Sequence, residues 1–473
     1  MFTIKSITKN FLSVGLANLI SQFVTFVTVA YYARILSVSL FGKLSLAQSI
    51  MIYFTMITLF GFQTYGQREI AKNSDKAEYI VGSIVSIRIL ISVICFFIVV
   101  LIAFIFSEDT IFKNILLMYG VTLFPLAFNI DWFFSGLKHM EYNAIYSIIK
   151  NVIPFILIII FLKTEKDVLF IPVFYVIGLV IAVAFQSYVY RHKKKLGYKF
   201  YFPNKELTSY IKCAAPFLLS GILSMINCNV DSIIIGFLRS DRELGIYSSA
   251  YKIIFFITNL MNIVFVPVFP LFISYFNNKN KNLLNDIVDK TCRIVILVAI
   301  PISFGGIALS KEIIVLIFGK KYESAYIPLI ILLIYVLILF IREIYGYGLN
   351  AFNMEKKYLI ITAISSSINL FFNLIFIPIY GINAAAIVTI LSEVINFLFM
   401  KKFFNTVTYT TYLSNIKKVI LPTLCMFVSI LLFKHFNINV IINILSAIVV
   451  YFIGIALFKY VTIDELKNMF NSK

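Results

Sequence analysis

Eight ionisable side chains lie within stretches of sequence that are otherwise apolar: Arg88, Asp131, Lys150, Asp231, Lys252, Arg342, Glu343 and Glu393. A charge at the centre of a bilayer costs about 2.5–3.5 kcal/mol on insertion scales, so each marks a candidate functional position. The cations Arg88, Lys150, Lys252 and Arg342 would suit an anionic substrate such as a diphosphate. Its oxygens accept charge-assisted hydrogen bonds, two at once from an arginine. Asp131, Asp231, Glu343 and Glu393 are candidates for ion coupling, because a carboxylate removed from water binds a proton or a cation unless a basic group pairs with it. The alternative is that the two sets neutralise one another as buried ion pairs. Arg342 and Glu343 are sequence neighbours, so they are expected on different helix faces and not as partners.

Two polar stripes accompany these charges. Asn18, Ser21, Gln22, Thr25 and Thr28 recur at steps of one to four near the start of the chain; Ser220, Ser224, Asn227 and Asp231 repeat the device later. A polar stripe on a membrane helix faces another helix or water. Gln22, Thr25, Asn227 and Asp231 are therefore candidate cavity-lining residues, with helix–helix contact as the alternative.

The elements that must carry these residues are membrane helices. Of the 473 residues, 61% are hydrophobic and only 13% charged. Apolar runs long enough to cross a bilayer recur about fourteen times. They lie near 11–33, 44–66, 80–106, 114–136, 143–162, 168–189, 213–238, 245–275, 294–310, 325–350, 358–379, 382–400, 416–433 and 438–460. The ninth is short and could extend backward through Arg293. With the N-terminus inside, lysines and arginines in the cytoplasmic loops outnumber those in the outer loops by about two to one, so both termini are expected in the cytoplasm. The net charge of +19 then reflects topology and not nucleic-acid binding. Residues 1–10 lead directly into a span too long for a cleavable signal.

The basic loop 191–212 divides the first twelve spans into six and six. It reads as a positive-inside linker that could also grip anionic headgroups. Phe41-Gly42 through Ala47 lines up with Leu244-Gly245 through Ala250, and Asp131 to Gly136 with Glu343 to Gly348. The expected fold is thus an all-α integral membrane protein. It comprises an N-lobe (1–190), a linker (191–212), a C-lobe (213–404) related to the first by a pseudo-two-fold axis along the membrane normal, and two further helices with a tail (405–473). A substrate cavity is expected between the lobes. Pro125, Pro154, Pro216, Pro267, Pro270 and Pro301 fall within spans, where ordinary kinking is expected; the alternative is a hinge that lets the lobes rock, with Pro267 and Pro270 as the best candidates.

No catalytic motif, phosphate-binding loop, paired-cysteine metal site or cofactor fingerprint is present. Cys95, Cys213, Cys228, Cys292 and Cys425 read as reduced structural thiols.

Three stretches carry a family resemblance. Lys9-Asn10-Phe11 through Arg34 to Gly42, followed by Gly61 through Gly66, Arg68-Glu69 and Ala71, resembles the start of bacterial polysaccharide flippases. Asp131-Trp132 through Gly136-Leu137 is similar to their fourth-helix signature. Ile377-Pro378 through Gly381 to Ala386 resembles their segment joining helices eleven and twelve, with Asn383 departing where a small residue is expected. These flippases for O-antigen and capsule repeat units belong to the multidrug/oligosaccharidyl-lipid/polysaccharide exporter superfamily. The resemblance implies fourteen helices, alternating access, and passage of undecaprenyl-diphosphate-linked oligosaccharides from the cytoplasmic to the outer leaflet of a bacterial inner membrane. It implies a polysaccharide polymerase and chain-length regulator as partners, alongside membrane lipids, with no cofactor. Two rivals are a cation-coupled multidrug exporter of the same superfamily, which would favour an acidic cavity, and a membrane polymerase, which would need a large catalytic outer loop.

Overall fold

The computed structural model describes residues 4–105, 109–201 and 205–457. The end of the expected last span and the tail, 458–473, lie outside them. The described chain is helical and divides into two compact units, Met1–Ser248 and Ser249–Lys473.

The first unit holds α1 (Ile4–Ile35), α2 (Val38–Leu59), α3 (Phe62–Lys72), α4 (Ala77–Ile105), α5 (Thr110–Gly120), α6 (Leu123–Ala127), α7 (Asp131–Gly136), α8 (Met140–Phe161), α9 (Phe170–Tyr188), α10 (Lys205–Leu238) and the start of α11 (Asp241–Leu260). Here α1 packs along α8, α8 along α9, α2 against α10 and α5, and α3 against α7. The second unit continues α11 and adds α12 (Asn262–Asn277), α13 (Lys281–Ala308), α14 (Ser310–Phe318), α15 (Tyr326–Ala351), α16 (Glu355–Tyr380), α17 (Ile382–Phe404), α18 (Tyr412–His435) and α19 (Val440–Leu457). Within it α17 is flanked by α15 and α16, and α13 by α15 and α18. Compactness thus places α10 with the first unit.

Thirteen helical segments among the described residues are long and apolar enough to cross a membrane; α1, with 32 residues, supplies the first expected span. The ninth span does extend back through Arg293, as α13. Large apolar side chains such as Phe97, Leu101 and Leu424 are exposed, as expected of a surface solvated by lipid. Three expected spans are interrupted, at Phe60–Gly61, near Asn129 and at Met261. Pro125 lies in the first turn of α6, where its missing N–H has no intrahelical partner to lose. Pro267 and Pro270 lie inside α12, and their span breaks instead before them, at Met261.

The sequence repeat has a local structural counterpart. Ser37 caps α2 by accepting from the Leu40 amide, and Ser240 caps α11 by accepting from the Glu243 amide at 3.2 Å. The paired glycines follow five residues after each cap.

Candidate functional site

Interrupting a helix at membrane depth exposes backbone groups that lipid cannot satisfy, so the protein must do so. In the first unit that task falls to Arg88. Phe60 and Gly61 both take positive φ, 50° and 71°, which turns the chain sharply out of α2. A side chain at Gly61 would also come 2.6 Å from the Ala214 carbonyl. The turn leaves the Leu59 carbonyl open, and Arg88 donates to it at 3.3 Å. The other guanidinium nitrogen donates to the Asn129 carbonyl at 2.7 Å, in the break before α7. Arg88 is 0% exposed and lies over the Phe62 ring at 5.8 Å. Cations are favoured at helix C-termini because the backbone dipoles end there.

Neighbouring polar groups complete the second break. The Asn129 amide donates to the Tyr146 hydroxyl at 3.0 Å, and its oxygen accepts from the Asp131 N–H at 2.9 Å. Gln186 accepts from the Ile130 N–H at 3.2 Å. This fixes Asp131 at the first turn of α7, with one carboxylate oxygen accepting from Gln63 at 3.3 Å. Gln63 in turn accepts from Arg88 at 3.4 Å. The other oxygen of Asp131 is buried and has no hydrogen-bond partner among the described residues. Lys150 lies on α8 within electrostatic reach of Asp131, its ammonium 5.8 Å from the Tyr146 ring centre. Among the described residues no carboxylate comes within ion-pairing distance of Lys150. Arg88, Asp131 and Lys150 are thus brought together, with one formal positive charge in excess.

The stripe on α1 serves in part as contact with α8. Ser147 donates to the Ser21 hydroxyl at 3.0 Å, and Thr25 approaches the Asn151 side-chain oxygen at 3.3 Å. Gln22 leaves a buried oxygen without a partner among the described residues, as does Asn227 on α10. One helical turn beyond Asn227, Asp231 is 2% exposed. It accepts from the Tyr247 hydroxyl and from the Ser232 N–H at 2.8 Å. No cation pairs with it among the described residues.

In the second unit, Arg342 on α15 donates to Glu393 on α17 and lies 3.3 Å from Glu343. The expectation that Arg342 and Glu343 are not partners is therefore corrected. Adjacent positions diverge around a helix, but the long guanidinium bends back past Gly346, where even a Cβ would come 3.2 Å from it. Glu393 also accepts from Asn396 at 3.4 Å. This cluster carries one formal negative charge in excess. Lys252 on α11 is half-buried.

Several network members had no charge to announce them: Gln63, Asn129, Tyr146, Gln186 and Tyr247. In the second unit the same holds for a seam in which Asn369 donates to Ser392 at 3.1 Å and Asn373 to Asn369 at 3.0 Å. The signal for this seam was the amide i,i+4 pair Asn369 and Asn373, which follows Ser365-Ser366-Ser367 on α16.

Broken helices stitched by buried polar groups make this an all-helical, multi-pass membrane protein with polar groups held at membrane depth. Residues 7–276 match the family described as polysaccharide biosynthesis protein, and residues 144–451 match the lipid II flippase MurJ family. The chain belongs to the polysaccharide biosynthesis protein family and, by its match over 144–451, to the lipid II flippase MurJ family. It is 24% identical over 409 residues to a Haloferax volcanii protein assigned as the low-salt glycan biosynthesis flippase Agl15, covering 85% of this chain and 82% of that one. It is 25% identical over 268 residues to a Shigella dysenteriae protein assigned as an O-antigen transporter, covering 55% and 66%. Among solved structures, lipid II flippase MurJ in an inward closed conformation superposes with a TM-score of 0.75 at 20% identity, covering 94% of this chain and 98% of that one. An inward-facing multidrug transporter of the MATE family follows with a TM-score of 0.65 at 13% identity, covering 82% and 95%. These structures establish the fold.

Proposed function

We propose that this protein flips a lipid-linked oligosaccharide across the membrane for polysaccharide assembly. The observation that carries this reading is Lys150, a cation set among apolar helices with no ion-pair partner among the described residues, beside the partly unsatisfied Asp131. An anionic headgroup would complete that charge, and sugar hydroxyls would meet the unpartnered oxygens of Gln22 and Asn227. Lys252, half-buried on α11, is a further candidate cation for the substrate. Arg88 holds the helix breaks, and Arg342 is shared between Glu343 and Glu393. The six-helix lobes 1–190 and 213–404 alternate in exposing this path, and loop 191–212 anchors them at the basic, cytoplasmic face. Both termini lie in the cytoplasm of a bacterial inner membrane. Asp231, buried against the Tyr247 hydroxyl with no paired cation among the described residues, is the group that takes up a proton or cation during the cycle. The polymerase and chain-length regulator act on the delivered units.

The test is transbilayer movement of a fluorescent undecaprenyl-diphosphate oligosaccharide in proteoliposomes. The wild type is expected to move it, and Lys150→Ala and Lys252→Ala to slow it about tenfold each, the order expected from losing one charge-assisted contact. Export of cationic dyes without movement of the oligosaccharide would favour the multidrug reading.

A further inference from the structure

At the end of the first unit where α1 turns into α2, two glycines let two helices meet backbone to backbone. A Cβ on Gly42 would overlap the Asp241 carbonyl, and a Cβ on Gly245 would overlap the Val38 carbonyl. The contact is reciprocal in the repeat: Val38 and Gly42 of α2 stand to Asp241 and Gly245 of α11 as those stand to them. Next to this seam, Lys43 pairs with Asp109 and lies 3.8 Å from Asp241. Asp109 is the N-cap of α5, accepting from the Ile111 and Phe112 amides at 2.8 and 3.3 Å. One lysine on the second turn of α2 therefore ties the N-terminal ends of α5 and α11. Lys43 itself is on α2, the side chain of which is mostly covered. Deeper along the same face of α2, two turns from Gly42, Ser49 is buried.

Close glycine contacts and ion pairs do different work. The glycine seam sets how near the backbones come but gives little that opposes sliding apart. Ion pairs at a membrane boundary are directional and break at modest cost. We propose that Lys43, Asp109 and Asp241 form an ionic latch that holds the α2–α11 seam shut, closing the outer end of the transport path. Calling that end outer rests on the orientation given above; the latch itself does not depend on the substrate.

The experiment reads thiol labelling. In a background with the five native cysteines replaced, Ser49→Cys is placed beneath the seam. A membrane-impermeant maleimide is added to proteoliposomes of known orientation, from the side of the α1–α2 turn. Labelling is expected to be slow in this parent and about threefold to tenfold faster with Lys43→Gln or Asp241→Asn, equivalent to about 0.7–1.4 kcal/mol at 1.4 kcal/mol per decade. Lys43→Arg should restore slow labelling. The single tryptophan, Trp132, reports through its fluorescence melt that each variant is folded. Unchanged labelling in folded Lys43→Gln and Asp241→Asn overturns the latch. Faster labelling only from the compartment that also holds the N-terminus overturns its outer placement. Because no oligosaccharide is needed, failure of the latch and failure of the flippase reading are separate results.

Discussion

Arg88→Met removes a buried guanidinium while nearly keeping its volume, so the loss is electrostatic and not a cavity. The Asn129 and Leu59 carbonyls lose donors at 2.7 and 3.3 Å. An unsatisfied buried polar group costs about 1–3 kcal/mol, and removing one member of a buried charge network about 3–5 kcal/mol in all. Arg88→Lys keeps the charge but reaches only one of the two carbonyls, so about 1–3 kcal/mol is expected. Asp131 does not come within ion-pairing distance of Arg88, whereas both carbonyls are direct partners. Adding Asp131→Asn to Arg88→Met should therefore recover less than half of the loss. The assay is the thermal transition in detergent micelles, followed by the fluorescence of Trp132, which lies in α7 beside the break. The expected order of melting temperature is wild type, then Arg88→Lys, then Arg88→Met. A full recovery by the double variant would show that charge balance, not carbonyl capping, retains Arg88; an unshifted Arg88→Met would refute both.

Other outcomes follow from single contacts. Gly82→Ala would overlap the Lys199 carbonyl and push residues 196–201 off α4, where Gly197 donates to Glu78 at 2.7 Å and Tyr201 to Ser86 at 3.0 Å; faster limited proteolysis in this loop is expected, by about tenfold if the freed strap loses roughly 1.4 kcal/mol. Glu393→Gln keeps the shape of the Arg342 cluster and leaves Glu343 as its balancing carboxylate, so a modest loss of about 1–2 kcal/mol is expected in the same melt; Glu393→Ala should cost more, since it also strands the Asn396 amide. Asp109 lies between spans, and although burial opposes its charge, the Lys43 ammonium and the Phe112 and Ile111 amides hold its carboxyl below the usual 3.8. A lowered carboxylate stabilises above its ordinary value and loses that contribution only as pH falls through the lowered one. In the Asp241→Asn background, Ser49→Cys labelling should therefore be flat from pH 8 to about 4.5 once corrected for maleimide reactivity; a rise near neutrality would contradict the pairing.

The span pattern was legible because length and hydropathy are local properties: about twenty apolar residues must cross a bilayer as a helix whatever surrounds them. The extension of α13 through Arg293 was legible for the same reason. The deep charges were legible as exceptions to that pattern, and the Ser37/Ser240 and Gly42/Gly245 correspondences as a repeat. What each charge does was not. Arg88, Lys150 and Arg342 look alike in sequence, each a cation inside an apolar run. One caps two broken helices, one has no ion-pair partner among the described residues, and one is shared between carboxylates. The break in the span that carries Pro267 and Pro270 was not legible either: it falls at Met261, about a turn and a half before the first proline, and both prolines lie inside α12.

Sequence by itself therefore determined an all-helical membrane transporter, its family and the short list of residues that carry charge into the bilayer. Only the tertiary structure decided which of those charges meet partners within the fold and which, like Lys150, have no ion-pair partner among the described residues. The physical reason is that the cost of a buried charge depends on what lies within about 4 Å of it. Partners such as the Leu59 and Asn129 carbonyls, or Glu393 for Arg342, are brought there from distant parts of the chain by helix breaks and packing that no local pattern encodes.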